Sequence, residues 1–108
     1  MTSIRSIKGT QDILPDQSYR WQALEAVIRS SMECYNYKEI RTPAFERTEL
    51  FSRGVGEETD IVSKEMYSWT DQSGENLTLK PELTAPVARS FIQHNLGGQS
   101  PINKLYYI

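Results

Sequence analysis

Apolar and polar residues change their spacing several times along this chain, and each change marks an element. Between Asp16 or Ser18 and about Tyr35, residues Trp21, Leu24, Ile28, Met32 and Tyr35 recur at three- and four-residue steps, with Val27 widening the stripe. That spacing predicts a long amphipathic helix whose stripe packs into a core. Arg20, Glu25, Arg29 and Glu33 fall on its wetter faces, and Glu25 and Arg29 stand four apart, where an ion pair adds a little support. Before this helix, residues 1–15 read as extended, punctuated by Gly9 and Pro15. After it, Asn36 marks a turn and Lys38 to Thr42 reads as a strand. Pro43 stops that strand, because its nitrogen has no hydrogen to donate. Glu46 to Ser52 is predicted as a short helix, closed by Gly54 and Gly56.

Period-two alternation then takes over. Met66 to Thr70 alternates and faces Asn76 to Leu79 across Asp71-Gln-Ser-Gly-Glu75, which predicts a hairpin with a longer loop. Leu77 and Leu79 alternate with Thr78 and Lys80, so the leucine face is expected to be the buried one. Pro81 ends the strand. Thr84 suits an N-cap and Pro86 a first helical turn, which predicts a helix from about Ala85 to Asn95 with Val87, Ala88, Phe91 and Ile92 turned inward. Gly97, Gly98 and Pro101 mark a loop, and a last strand begins at Lys104. The sum is an α+β arrangement, an antiparallel sheet flanked by helices.

Composition narrows the class without naming it. Hydrophobic residues at 38% and charged residues at 24% are globular values, which excludes a disordered or membrane-embedded chain. No apolar run approaches the length of a bilayer span, and the N-terminus lacks the apolar centre of a signal peptide. The single Cys34 has no internal disulfide partner, which fits a reducing, cytoplasmic setting, and it is expected to be a small buried hydrophobe of the first helix. A net charge of −2 argues against a main nucleic-acid-binding surface, leaving Arg5, Lys8, Arg41 and Arg53 for local phosphate contacts. A chain of 108 residues holds one domain with a modest core.

The candidate chemistry concentrates at Glu82. It sits on a short, stiff connection where a strand gives way to a helix, a usual place for ligand contacts. An acceptor-only carboxylate beside the Thr84 hydroxyl is suited to grip an ammonium group through charge-assisted hydrogen bonds. Spacing alone fits equally a glutamate that only solvates the turn, the commoner case. His94, near a helix C-terminus and with no partner histidine, cysteine or second carboxylate in pattern, reads as a surface or capping residue, and no metal motif is present. Gly54 and Gly56 hint at phosphate cradling, but no lysine-serine pair follows, so this signal is weak.

Several blocks, in order, resemble histidyl-tRNA synthetases. Lys8-Gly-Thr-Gln-Asp-Ile-Leu-Pro15 is similar to their opening, and Tyr35-Asn-Tyr-Lys-Glu-Ile-Arg-Thr-Pro-Ala-Phe-Glu46 to their first signature motif. Leu50 to Val62 and Lys64-Glu-Met-Tyr67 follow in the family's order. Leu79-Lys-Pro-Glu-Leu-Thr-Ala85 resembles the histidine-gripping loop, and Lys104-Leu-Tyr-Tyr-Ile108 the start of the second motif. The resemblance covers essentially the whole chain. It implies the class II aminoacyl-tRNA synthetase catalytic fold, with residues 1–108 as the N-terminal portion of that domain.

It also implies roles. Glu82 would hold the histidine α-ammonium, Thr84 the same group by hydroxyl or backbone, and Leu83 would line the site through its backbone. Pro43 would pack near the partner of a homodimer, together with the first helix, and Gly54 to Val62 would form a mobile active-site loop. The implied reaction joins L-histidine and ATP into histidyl-adenylate, with Mg2+ neutralising phosphates, and passes the histidyl group to tRNA(His). The family's arginine of the second motif, its Arg-Gly-Leu-Asp-Tyr-Tyr-like segment and its third motif have no counterpart here. No catalytic residue is therefore assigned within the chain, and residues 1–108 alone are expected to be inactive. Where many relatives have Arg-Pro-Glu-Gly-Thr, this chain has Lys80-Pro-Glu-Leu-Thr84. Lysine cannot reproduce a forked guanidinium contact, and leucine implies ordinary backbone angles at 83. Two rivals remain. One is a histidine-binding regulatory paralogue that activates an ATP phosphoribosyltransferase, against which Lys64-Glu-Met-Tyr67 and the Gly54-Val-Gly56 loop weigh. The other is a non-catalytic dimerisation module, whose exposed sheet edge and apolar face predict self-association.

Overall fold

Pro15 opens helix α1, Pro15–Cys34, since a first helical position needs no N–H partner and proline's fixed φ is already helical. The structure, a computed structural model, describes residues 3–55 and 66–108. The expectations for Gly56, for Asp60 to Val62 and for Lys64 and Glu65 lie outside the described residues. The chain divides into two units, Met1–Lys38 with Ile108, and Glu39–Tyr107.

In the first unit, α1 ends as its sequence demands. Asn36 takes the left-handed φ of 61°, its N–H donates to the Glu33 carbonyl at 3.0 Å, and the Tyr37 N–H reaches back to the Met32 carbonyl at 2.9 Å. These two bonds form a Schellman ending, which satisfies carbonyls that a helix end otherwise leaves open. Glu25 and Arg29 pair at 3.5 Å as their spacing predicts. The apolar stripe, however, is not buried: α1 has no buried residue, and Trp21 keeps 51% of its surface exposed, with Leu24, Val27 and Tyr35 more so. Cys34 is exposed as well, against its expected burial. The reason lies in the unit itself. Besides α1 it holds an N-terminal arm whose Ile4, Ile7, Ile13 and Leu14 are themselves exposed, and a stripe buries only where a second element meets it.

The second unit is built on a three-stranded antiparallel sheet in the order β2 (Phe45–Arg47), β4 (Asn76–Leu79), β3 (Ser68–Thr70). Phe45, Glu46 and Arg47 stand opposite Leu79, Thr78 and Leu77, and Ser68, Trp69 and Thr70 opposite Thr78, Leu77 and Asn76. The hairpin is thus where alternation placed it. The predicted helix over 46–52 begins later, as α2, Thr48–Val55, because Glu46 and Arg47 pair with the edge of β4. The strand expected over 38–42 shortens to β1, Lys38–Glu39. Just past it, the Ile40 N–H donates to the Tyr106 carbonyl at 2.9 Å, within the last strand, β5 (Leu105–Tyr106). Pro43 falls between β1 and β2, where its missing N–H costs no ladder bond.

The sheet's faces are the reverse of the expectation. Thr78 is fully buried and Phe51 is 3% exposed, whereas Leu79 is exposed at 46% and Leu77 only half-buried. Period two fixes which residues share a face, not which face the helices cover. Here α2 and α3 (Thr84–Gln93) cover the Thr78 face, and Phe51 and Pro86 fill it. The buried hydroxyl is fully used: Thr48 Oγ1 and Ser68 Oγ each lie 2.7 Å from Thr78 Oγ1, so no polar atom is stranded. On the other face Phe45 and Trp69 meet edge-on, with ring centres 5.6 Å apart.

Helix α3 begins one residue earlier and ends two residues earlier than expected. Val87 and Phe91 are half-buried, but Ala88 and Ile92 are exposed and Pro86 takes the buried position. Asn95, at φ 51°, separates α3 from a short helix α4, Leu96–Gln99, so Gly97 and Gly98 are helical and not a loop. A Cβ at Gly97 would lie 3.1 Å from the Phe91 ring, so a glycine there lets α4 approach α3.

The β3–β4 turn is organised by Asp71. Its Oδ1 accepts from the Ser73 hydroxyl at 2.7 Å and from the Ser73 and Glu75 N–H groups at 2.9 Å, while Gly74 supplies a φ of 89°. The Ser73 hydroxyl first, and then the Glu75 N–H, hold the Asp71 carboxyl below its ordinary value of 3.8. A lowered folded value means that the turn gains stability above the ordinary aspartate range and loses it as pH falls through the lowered one. Protection of the Ser73 and Glu75 amides from exchange, relative to the free-peptide rate at each pH, is therefore expected to fall on acidification below pH 3.8. In Asp71→Asn that pH dependence should vanish, and its persistence would point to another group.

Candidate substrate-binding site

The connection from β4 to α3 is four residues long, Lys80 to Leu83, and both of its ends are fixed. Lys80 extends the β2–β4 ladder by one bond, its N–H donating to the Ala44 carbonyl at 3.0 Å. Pro81 cannot continue it. Leu83 stands at the N-cap with φ −113° and ψ −13°, an ordinary conformation for a side chain with a Cβ, as the absence of glycine there requires.

Glu82 does more in this turn than spacing suggested. Its Oε2 accepts from the Thr84 N–H at 2.5 Å, and the Ala85 N–H donates to Oε1 at 3.1 Å and to Oε2 at 3.2 Å. The carboxylate thus satisfies the first two open N–H groups of α3, and its charge is favoured by the helix dipole. Thr84, expected as the N-cap, is instead the first helical residue, and the cap's work passes to Glu82. Pro86, two residues past Thr84, has no N–H to offer its hydroxyl, and the Val87 N–H donates to the Leu83 carbonyl at 3.2 Å. Glu82 and Thr84 remain exposed, with Leu83 half-buried between them. A carboxylate has about four acceptor sites, so the two oxygens that cap the helix can also receive an ammonium from the solvent side.

Pro43 lies elsewhere in the unit. It lines a cavity of about 460 Å³ together with Glu46, Arg47, Glu49, Leu50, Arg89 and Gln93. A second cleft, of about 470 Å³, is lined by Arg47, Thr48, Glu49, Ser52, Gly74, Glu75 and Asn76. Neither includes Glu82, Leu83 or Thr84, so neither brings Pro43 together with the Glu82 turn.

Arg89, which sequence reasoning passed over, and Lys80, noted there only for what a lysine cannot do, hold this region together. Arg89, on α3, makes a forked contact with Glu46 on β2, Nη2 to Oε1 at 2.7 Å and Nε to Oε2 at 3.1 Å, and its third nitrogen donates to Gln93 at 2.8 Å. The side chains keep 27% and 9% of their surface. Lys80 Nζ lies 3.3 Å from both the carbonyl and the hydroxyl oxygen of Thr42. No signal in the sequence pointed to Arg89: the expected inward set of Val87, Ala88, Phe91 and Ile92 left it on the outer side, and only the burial of Pro86, three residues before it, turns it inward. Glu46 gave none, because it was read as the start of a helix.

Comparisons with known proteins agree with one another. The family model described as histidyl-tRNA synthetase matches residues 9–108. Histidine--tRNA ligase of Thermoanaerobacter pseudethanolicus is 59% identical over 101 residues, covering 94% of this chain and 24% of that protein. The apo crystal structure of Staphylococcus aureus histidyl-tRNA synthetase superposes with a TM-score of 0.78 at 44% identity, over 97% of this chain and 28% of that one. A Bacillus halodurans structure, named as an ATP phosphoribosyltransferase regulatory subunit/histidyl-tRNA synthetase, gives a TM-score of 0.77 at 25% identity over 99% of this chain and 27% of that one. The chain spans about a quarter of the length of the curated relatives it matches. Its α+β sheet and flanking helices are part of the class II catalytic fold, and the chain belongs to the histidyl-tRNA synthetase family.

Proposed function

We propose that this chain supplies the amine-gripping part of a ligase that joins L-histidine to tRNA(His), using ATP and passing through histidyl-adenylate. The observation that carries the proposal is the Glu82 carboxylate, held at a strand–helix turn beside Thr84, in a chain 59% identical to a histidine--tRNA ligase. In this reading residues 1–108 are the N-terminal portion of a class II catalytic domain. Glu82 takes the α-ammonium of histidine, the Thr84 hydroxyl contacts the same group, and the Leu83 backbone lines the site. The amino acid's own carboxylate attacks the α-phosphorus of ATP and pyrophosphate leaves, so these residues act by orientation and charge and move no proton. Among the described residues no group of three or more histidine, cysteine, aspartate or glutamate side chains could hold a metal ion. In this reading magnesium would accompany ATP and neutralise its phosphates.

The proposal extends to assembly and place. A homodimer would use the face around Pro43 and the exposed stripe of Trp21 and Leu24. Among the described residues no helix is long and apolar enough to cross a membrane, which is compatible with a cytoplasmic ligase. The regulatory reading has the Bacillus halodurans neighbour in its favour. Its 25% identity weighs less than the 54–59% shared with histidine--tRNA ligases.

The test is histidine-dependent exchange of pyrophosphate into ATP, followed by charging of tRNA(His), by the complete protein that carries these residues. Exchange with histidine and charging are expected. Histidine binding without exchange, together with activation of an ATP phosphoribosyltransferase, would replace the ligase with its regulatory relative.

A further inference from the structure

We propose that Arg89 and Lys80 are positioning residues that fix the Glu82 turn against residues 42–46, and so set the enzyme's affinity for histidine. The inference rests on the ammonium-gripping role of Glu82 proposed above. Glu82 is joined to the rest of the unit at two ends, the end of β4 and the start of α3, and each end has its own side-chain tether. On the strand side, Lys80 Nζ reaches the Thr42 carbonyl and hydroxyl at 3.3 Å. On the helix side, the Arg89 fork holds both Glu46 oxygens at 2.7 and 3.1 Å. The two targets stand four residues apart on one stretch, which also carries Pro43.

The geometry gives the tethers different strengths. Arg89 is planar and makes two parallel bonds, so it fixes the direction of α3 as well as its distance from β2. Glu46 keeps only 9% of its side-chain surface, so water competes weakly for its oxygens. Lys80 makes long, single-centre contacts from a half-buried position. It limits how far the strand end moves without fixing its angle. Because Glu82 binds the first two N–H groups of α3, a helix that swivels about its axis carries the carboxylate with it. A misaligned carboxylate meets the ammonium at poor angles and loses most of a charge-assisted bond. ATP does not depend on this carboxylate, so its affinity should not follow.

The experiment is a double-variant comparison in the complete protein, read by histidine-dependent pyrophosphate exchange. Arg89→Lys keeps the charge opposite Glu46 but removes the fork. It is expected to raise the KM for histidine about five- to thirtyfold while the KM for ATP stays within twofold. In a Glu82→Gln background the same change should add less than twofold, because the group it positions has already lost its grip. Lys80→Met, which removes only the Thr42 contacts, is expected to show the same selectivity at a smaller size, and Lys80→Arg to restore it. The Lys80 pair keeps the test decisive should Arg89→Lys fail to fold. An unchanged histidine KM in the folded variants overturns the proposal. So does an equal rise for histidine and ATP, or an equal factor in both backgrounds, since each describes general loosening and not positioning of Glu82. A wild-type protein without histidine-dependent exchange overturns the proposed function itself, and this proposal with it, before any variant is compared.

Discussion

Glu82→Gln is expected to weaken histidine use by about 1.5–3 kcal/mol, the scale of a hydrogen bond to a charged group, or roughly 10- to 150-fold in kcat/KM. The change is informative because Glu82 has two tasks that glutamine separates. An amide keeps one carbonyl oxygen, enough to accept the Thr84 N–H and preserve the start of α3. It removes the negative charge and turns a donor toward an ammonium that has only donors to offer. Folding should therefore be nearly unaffected while histidine affinity falls. Glu82→Ala should lose both functions, adding the cost of an uncapped helix, about 0.5–2 kcal/mol. Steady-state kinetics with histidine and with ATP varied in turn, beside a thermal melt, separate the two variants. Unchanged kinetics for histidine in Glu82→Gln would leave Glu82 as a helix cap and nothing more.

Phe51→Ala is expected to destabilise the second unit by about 3–5 kcal/mol, the range for removing a buried phenylalanine. Among the described residues Phe51 is the large hydrophobe that is truly buried, at 3% exposure. It fills the space between α2, the sheet and α3, where the remaining buried groups are a hydroxyl and a proline ring. Amide exchange in β4 and α3 should accelerate by about 10²–10⁴, at about 1.4 kcal/mol per tenfold. Trp69→Ala, on the exposed face, should leave those amides within a few-fold. If the two variants behaved alike, the Trp69 face would be as tightly packed as the Phe51 face, against the burial of the two residues.

What could be read from the residues beforehand follows a physical division. Local signals were sufficient where one residue type decides the backbone. Asn36 placed the end of α1 and the Asp71–Glu75 turn the hairpin, while the start of α1 fell at Pro15, one residue before the earlier of the two expected positions. Alternation correctly grouped Leu77 with Leu79 and Thr78 with Lys80. It could not say which group would be covered, because that depends on Phe51 and Pro86 arriving from other elements. The start of α2 was misjudged for the same reason, since pairing of Glu46 with Thr78 is a contact between residues far apart in sequence. At the site, the turn that holds Glu82, Leu83 and Thr84 was legible from Pro81 and Pro86. The capping role of Glu82 was not, because Thr84 has the better intrinsic preference for that position and lost it to geometry.

The reversed sheet has a spectroscopic consequence. The two tryptophans of the chain, Trp21 and Trp69, keep 51% and 42% of their surface exposed, and Trp69 shares the Leu77 face of the sheet, away from Thr78 and Phe51. Their fluorescence in this state is that of solvated indoles, so melting of the core changes its colour little. Trp69 instead reports what comes to rest on the outer face beside Phe45 and Leu79. A partner or a further layer of chain that dries that surface shifts the emission to the blue, and the chain thereby carries its own probe of being covered.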